Sequence, residues 1–258
     1  MVINMECRAF MASLPANSFD SIVTDPPYGL SKQPNMREVL KHWLNGDDYT
    51  ASGGGFMGKS WDSFVPGPKT WEQAFRVLKP GGYAVVFAGS RTVDLMATSL
   101  RLAGFEVVDM LHWLYGSGFP KSMDIGKAID AQDAVAERRA RQDRDEGLED
   151  FALATAGEMT GGRAEGSDGL NSPRSGAGRT GGARNVHPTV KPTAVMRWLV
   201  RLVTPPGGIP FDPFCGSGST LKAAALEGFN AVGCEMDPQY AAIARAREEA
   251  ARCKKQST

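Results

Sequence analysis

The 258-residue sequence predicts an α/β fold with a doubly wound, mostly parallel sheet. Three observations carry that reading. Amphipathic helical patterns alternate with short apolar runs rich in β-branched residues, the alternation that parallel βαβ units produce. Near the C-terminus the glycine loop in "FDPFCGSGST" stands between a strand pattern and a helix pattern, and the next strand pattern ends in an acid, Glu235. The length suffices to bury one substantial core and still carry an insertion.

The first clear strand runs from Phe19 to Thr24, where Ile22, Val23 and Thr24 are β-branched. Pro26 and Pro27 end it, because proline has no N–H for a ladder. Each proline fixes its own φ and restricts the residue before it, so Asp25 and Pro26 have stiff backbones. A carboxylate, a fixed carbonyl and the Tyr28 ring therefore stand together at a strand's end. Residues 31–69 are polar and Gly-rich and should be mostly loop, with one helical candidate in "NMREVLKHWL". Trp71, Ala74, Phe75 and Leu78 have helical spacing, and that helix should stop at Pro80, Gly81 and Gly82 before the apolar strand "YAVVFAG". "RTVDLMATSLRLAG" repeats the amphipathic pattern up to Gly104, followed by an expected strand, "FEVVDMLHWLY". Between Gly157 and Gly182 periodicity vanishes, and nine glycines lie far above the roughly 7% background, so this stretch reads as loop or disordered chain. Order resumes with the helix "TAVMRWLVRLV", then strand, glycine loop, helix, strand and helix.

Lys plus Arg and Asp plus Glu are both 29, so attraction to nucleic acid must come from local patches, not from global charge. The four cysteines, Cys7, Cys215, Cys234 and Cys253, contain no C-x-x-C pair, which argues against a zinc site and against a secreted disulfide framework. No stretch has the apolar length of a membrane span, and "MVINMECRAF" lacks the layout of a signal peptide; the expectation is a cytoplasmic chain with no metal.

Gly216 and Gly218 open the loop-to-helix turn where a ligand can approach backbone N–H groups, and Glu235 is placed to take both ribose hydroxyls of a nucleoside. The third glycine of the dinucleotide fingerprint would fall at Leu221, which disfavours NAD. Asp212, just before the loop, would repel a pyrophosphate but accept a hydrogen bond from an amino acid's ammonium, so S-adenosylmethionine is the better fit. A competing motif, "GGGFMGKS" at 53–60, matches the P-loop pattern, but no buried strand precedes it and Pro66 and Pro68 follow where a helix should begin.

Asp25-Pro26-Pro27-Tyr28 together with Phe214-x-Gly216-x-Gly218 resembles the DNA amino-methyltransferases, which modify the exocyclic amine of adenine or cytosine. Their order along the chain, D-P-P-Y first, is similar to the β group, whose motifs are circularly permuted. "RVLKPGG", "WLYGSGFPKS" and "HPTVKP" also look like blocks of that family. The resemblance implies a seven-stranded sheet of the S-adenosylmethionine-dependent methyltransferase type with a loop-rich target-recognition insertion. It divides the chain into a catalytic half at 1–122, a recognition region at 123–186 and a cofactor-binding half at 187–258.

What the resemblance implies about residues is specific. Asp25, Pro26, Pro27 and Tyr28 would form the catalytic motif, with the Asp25 carboxylate and Pro26 carbonyl each taking an amino hydrogen and Tyr28 stacking on a flipped base. Asp212, Phe214, Cys215, Gly216, Ser217, Gly218, Ser219 and Thr220 would line the methionine end of S-adenosylmethionine, Asp25 would border it, and Glu235 would hold the ribose. Cys7 and Met236 would border the adenine, and Thr189 and Lys191 would reach the cofactor from "HPTVKP". Cys215 lacks an identified base and reads as packing, and His187 carries no catalytic pattern. Lys59 and the basic residues Arg174, Arg179 and Arg184 are candidate contacts to phosphates of double-stranded DNA, with Trp61 as a packing anchor.

The implied activity is site-specific methyl transfer to adenine-N6, since D-P-P-Y more often accompanies adenine in that family, with cytosine-N4 as the rival base. From different classes come a catalytically silent DNA-binding regulator and a methyltransferase acting on RNA or protein. Members of the group are often dimers, and some work beside a restriction endonuclease, so a bacterial or phage origin is implied.

Overall fold

The computed structural model describes residues 1–29, 34–49, 63–114 and 190–256. The chain divides into two compact units, Met1–Gly118 with Lys191–Thr258, and Phe119–Val190. All that follows concerns the first unit.

Its five strands are β1 (Val2–Asn4), β2 (Phe19–Thr24), β3 (Leu78–Val86), β4 (Pro210–Asp212) and β5 (Val232–Glu235), in the spatial order β1-β5-β4-β2-β3. Every neighbouring pair is parallel. From β4 the chain winds outward through β5 in one direction, and from β2 through β3 in the other. The adjacent pair β2 and β4 is therefore the point where winding reverses, and ligands bind beyond the strand ends at such points.

Seven helices accompany the sheet among the described residues: α1 (Cys7–Ala12), α2 (Met36–Leu44), α3 (Pro68–Val77), α4 (Val93–Leu102), α5 (Thr193–Val203), α6 (Ser219–Glu227) and α7 (Pro238–Gln256). They cover both faces because side chains on a strand alternate. Ile22 and Phe211 point to one side, where they pack with Met11 of α1, Trp71 and Val77 of α3 and Leu95 and Met96 of α4. Val23 points to the other, into a cluster with Met196 and Val200 of α5, Leu221 of α6 and Ala241 and Ala244 of α7. Phe19 and Phe211 stack across β2 and β4 with ring centroids 4.2 Å apart. Each such fully buried side chain contributes about 1.5–3 kcal/mol, so the β2–β4 seam is held from both faces. No helix among the described residues is long and apolar enough to cross a membrane.

The sheet has five strands among the described residues. Two expectations from sequence need correction. Phe105–Leu114, expected as a strand, forms none, and Val108, Met110, Leu111 and Leu114 are exposed. A strand exists only where a neighbour pairs its N–H and C=O groups, and no neighbour runs beside this stretch among the described residues. The second correction concerns β3, which begins at Leu78 and not after the glycines: Leu78 pairs with Phe19, the register then jumps, and Tyr83 pairs with Ser21. Lys79–Gly82 bulge out between these pairs, with Gly81 at φ 79°.

Candidate active site

The catalytic candidate and the glycine loop meet because β2 and β4 are neighbours. Ser21 pairs with Pro210 and Ile22 with Phe211, which brings the ends of the two strands level. There the Thr24 hydroxyl donates to Asp212 Oδ1 at 2.6 Å, and both side chains are buried.

Past the end of β2, Asp25 is half-buried, Pro26 is buried and Tyr28 is 5% exposed. The Tyr28 hydroxyl donates to Asp25 Oδ1 at 2.6 Å. The Lys191 ammonium donates to Asp25 Oδ2 and forms an ion pair with it while only 3% exposed. Its Nζ lies 5.2 Å from the centroid of the Tyr28 ring and 4.8 Å from that of Phe87. The backbone of the motif is held from outside: the Thr92 hydroxyl donates to the Tyr28 carbonyl at 2.6 Å. Gly29 at φ 63° lets the chain pass against Phe64 and Val65, where a Cβ would come within 3.0 Å of Phe64 Cα.

On the other side of the seam, Asp212 is 2% exposed. Burial pushes its carboxyl up to about 6, against the nearby Thr220 hydroxyl and the hydrogen bonds from Thr24 and the Phe214 N–H, which favour the ionised form, and with the negative charge of Asp25 adding to the rise. No lysine or arginine among the described residues pairs with Asp212. A buried carboxylate without a cation, facing a glycine loop, fits a ligand that brings its own ammonium.

The loop itself is locked in place. Cys215 N–H donates to the Cys234 carbonyl at 2.9 Å and Gly218 N–H to the Cys215 carbonyl at 2.7 Å. Arg247 of α7 donates to the Ser217 carbonyl at 2.5 Å and to its hydroxyl at 2.9 Å. Burial lowers the Arg247 guanidinium to about 10, so its hydrogen bonds to the loop are made in a poorly solvated place. Ser219 opens α6, and Thr220 donates to the Val23 carbonyl at 3.2 Å, which ties that helix to β2. Gly218 has a reason beyond ligand access: at φ 81° its Cβ would stand 2.8 Å from Ala244 Cβ, so loop and α7 touch through it.

Glu235, at the end of β5, accepts from Gly216 N–H at 2.9 Å and from Asp237 N–H at 2.8 Å, one on each oxygen. Burial raises its pKa above the usual carboxylate value. A carboxylate has about four acceptor sites, so capacity remains for a hydroxyl donor. Cys7 begins α1 beneath β5 and is buried, its thiol pushed up by burial and by Glu6. Cys215 is likewise buried with its thiol pushed up, which suits packing and not nucleophilic attack. Met236 stands 62% exposed past the end of β5.

The structure thus gathers Asp25, Tyr28, Lys191, Asp212, the glycine loop and Glu235 along the ends of β2, β4 and β5. Lys191, expected to face the cofactor, engages Asp25. Thr189, His187, Lys59, Trp61, Arg174, Arg179 and Arg184 lie outside the described residues. Sequence reasoning passed over Thr24, Phe87, Thr92 and Arg247. Thr24 had a signal, a hydroxyl at the last position of a buried strand, directly before the acid. The other three are set by contacts between distant segments.

A family profile described as DNA methylase, of the N6/N4 type, matches residues 19–137 and 163–246. The protein YubD of Escherichia coli (strain K12) is 26% identical over 96% of this chain and 93% of its own length. Among solved structures, M1.HpyAVI in complex with SAM superposes with a TM-score of 0.50 at 18% identity, covering 96% of this chain and 98% of that one. The cytosine-N4-specific PvuII DNA methyltransferase superposes with a TM-score of 0.54 at 15% identity, covering 99% and 91%.

Proposed function

The chain belongs to the N6/N4 DNA methylase family, and from that premise we propose that it transfers a methyl group from S-adenosylmethionine to N6 of an adenine flipped out of duplex DNA. The observation that carries the proposal is the Thr24–Asp212 contact, which sets the Asp25 acceptor beside a buried carboxylate that lacks a cation.

Asp212 would hold the methionine ammonium, the loop from Phe214 to Thr220 would border the methionine end, and the remaining acceptor capacity of Glu235 would take a ribose hydroxyl. Cys7 and Met236 would border the adenine ring. Bound there, S-adenosylmethionine supplies an electrophilic methyl group on a sulfonium.

The residues at the end of β2 meet the other half of the problem. The amino nitrogen of adenine is a poor nucleophile because its lone pair is delocalised into the ring. Two acceptors, the Asp25 carboxylate and the Pro26 carbonyl, would each take one amino hydrogen and draw the nitrogen toward tetrahedral geometry. Preorganised groups of this kind are worth about 10²–10³ in rate each, because they need not reorganise during the reaction. Pro26 and Pro27 fix those positions, and the Tyr28 ring offers the stacking that an extruded base has lost. Lys59, Arg174, Arg179 and Arg184 would contact phosphates. The soluble, cytoplasmic setting of such an enzyme and its assembly as a homodimer belong to the same proposal.

The same two acceptors would serve N4 of cytosine, the base named for the PvuII enzyme. Expression of the protein in a host, followed by sequencing of the DNA and nucleoside analysis, tests the assignment. N6-methyladenine at a fixed motif is expected. N4-methylcytosine alone would overturn the choice of base, and binding of S-adenosylmethionine without any modified base would point to a silent regulator.

A further inference from the structure

We infer that Lys191 is the resident occupant of the target-amine position: its ammonium holds Asp25 over the aromatic walls of the pocket until the exocyclic amine of a base displaces it. The inference rests on the reading of Asp25 as the acceptor for that amine.

Four observations place the ammonium there. It donates to Asp25 Oδ2 and is almost fully buried. It sits within 5.2 Å and 4.8 Å of the ring centroids of Tyr28 and Phe87, inside the roughly 6 Å over which a cation is attracted to an aromatic face. The other oxygen, Asp25 Oδ1, already accepts from the Tyr28 hydroxyl. Finally, the Lys191 backbone precedes Pro192, the N-cap of α5 at φ −58°, so the main chain is anchored while the four-carbon side chain keeps its rotatable bonds.

Burying an ammonium is costly unless it is paired, and here one carboxylate and two aromatic faces compensate. A base stacked on Tyr28 with its amine on Asp25 claims the same face and the same oxygen. Base and ammonium therefore exclude each other. The exchange is uneven, because a charge-assisted bond is given up for a bond from a neutral amine. A base that presents a carbonyl oxygen at that position, as guanine and thymine do, would set acceptor against acceptor and could not replace the ammonium at all. Lys191 thus raises the threshold for entry, and only a base that presents its amine at that position meets it. Phe87 becomes a second wall of the same pocket.

The test uses the duplex site found by sequencing, so failure of the methyltransferase reading shows first, as absence of any modified site. Binding of that duplex is compared with binding of one whose target base is replaced by its analogue lacking the exocyclic amine. In the wild type the amine-bearing duplex should bind about tenfold more tightly, since only its base displaces the ammonium and enters the pocket. In Lys191→Met, Asp25 Oδ2 has no resident donor and either base can enter, so the preference for the amine-bearing duplex should fall by about threefold or more. An unchanged preference in a folded variant overturns the inference. A second readout keeps the wild type in view: acylation of Lys191 by an amine-reactive reagent, read by mass spectrometry, should be faster with the amine-bearing duplex than with the analogue. Equal rates overturn it independently.

Discussion

Thr24 and Asp212 lie 188 residues apart in the chain, yet the hydroxyl of one donates to the carboxylate of the other at 2.6 Å in the buried seam between β2 and β4. Thr24→Val keeps the shape and removes the donor. Hydrogen bonds to charged groups are worth about 1.5–3 kcal/mol, so unfolding by urea should show a loss in that range, with weaker binding of S-adenosylmethionine. Thr24→Ser should recover most of both.

The raised carboxyl of Asp212 predicts a pH dependence of cofactor binding. Above pH 6 the group is ionised and can hold an ammonium; as pH falls through about 6 it takes up a proton and loses that capacity. Calorimetric affinity for S-adenosylmethionine should therefore decline below pH 6, and the decline should be absent in Asp212→Asn.

The same group acts on stability with the opposite sign. Its folded value of about 6 lies above the unfolded 3.8, so the folded state binds more protons in between, and stability falls as pH rises through that window. A shift of this size corresponds to about 3 kcal/mol at 1.36 kcal/mol for each pH unit. Between pH 4.5 and pH 7 about 2 kcal/mol of this is traversed, and denaturation curves at those two pH values should lose that difference in Asp212→Asn.

Asp25→Ala should lower methyl transfer by at least about 10²-fold while cofactor affinity changes little, because the acceptor acts on the base and not on the donor. Tyr28→Phe keeps the ring but frees Asp25 Oδ1, and should cost far less than Tyr28→Ala. Undiminished transfer by Asp25→Ala would remove the assigned role.

Gly81 and Gly218 separate two kinds of requirement for glycine. Both have positive φ, 79° and 81°, but a Cβ on Gly81 meets nothing within 4 Å while one on Gly218 lands 2.8 Å from Ala244 Cβ. Gly81→Ala should cost about 1–2 kcal/mol for the left-handed backbone alone. Gly218→Ala adds overpacking of about 1–3 kcal/mol and should also displace the loop that faces the ligand, as seen in denaturation and cofactor titration together.

Much of this was legible in the sequence because it is local. β2, α3, α4, α5 and the run from β4 to α7 follow from hydrophobic period, and their stops from proline and glycine. β1 was missed because three residues, one of them Asn4, are too few to show alternation. Phe105–Leu114 misled because apolar content signals a strand whether or not a partner exists. Nor does any local pattern reveal strand order: the meeting of Asp25 with the glycine loop followed from the family resemblance, and the engagement of Lys191 with Asp25 required the fold itself.

The neighbours of β1 and β2 have a consequence for how the molecule comes into being. Val2 pairs with Gly233 and Ser21 with Pro210, so each early strand must wait for a segment translated much later. Joining such remote segments exacts loop-closure entropy before any contact repays it, which makes assembly slow. On the ribosome, one edge of β2 with its apolar residues stays open until β4 emerges, and that interval is when aggregation competes with folding and a chaperone has most to offer.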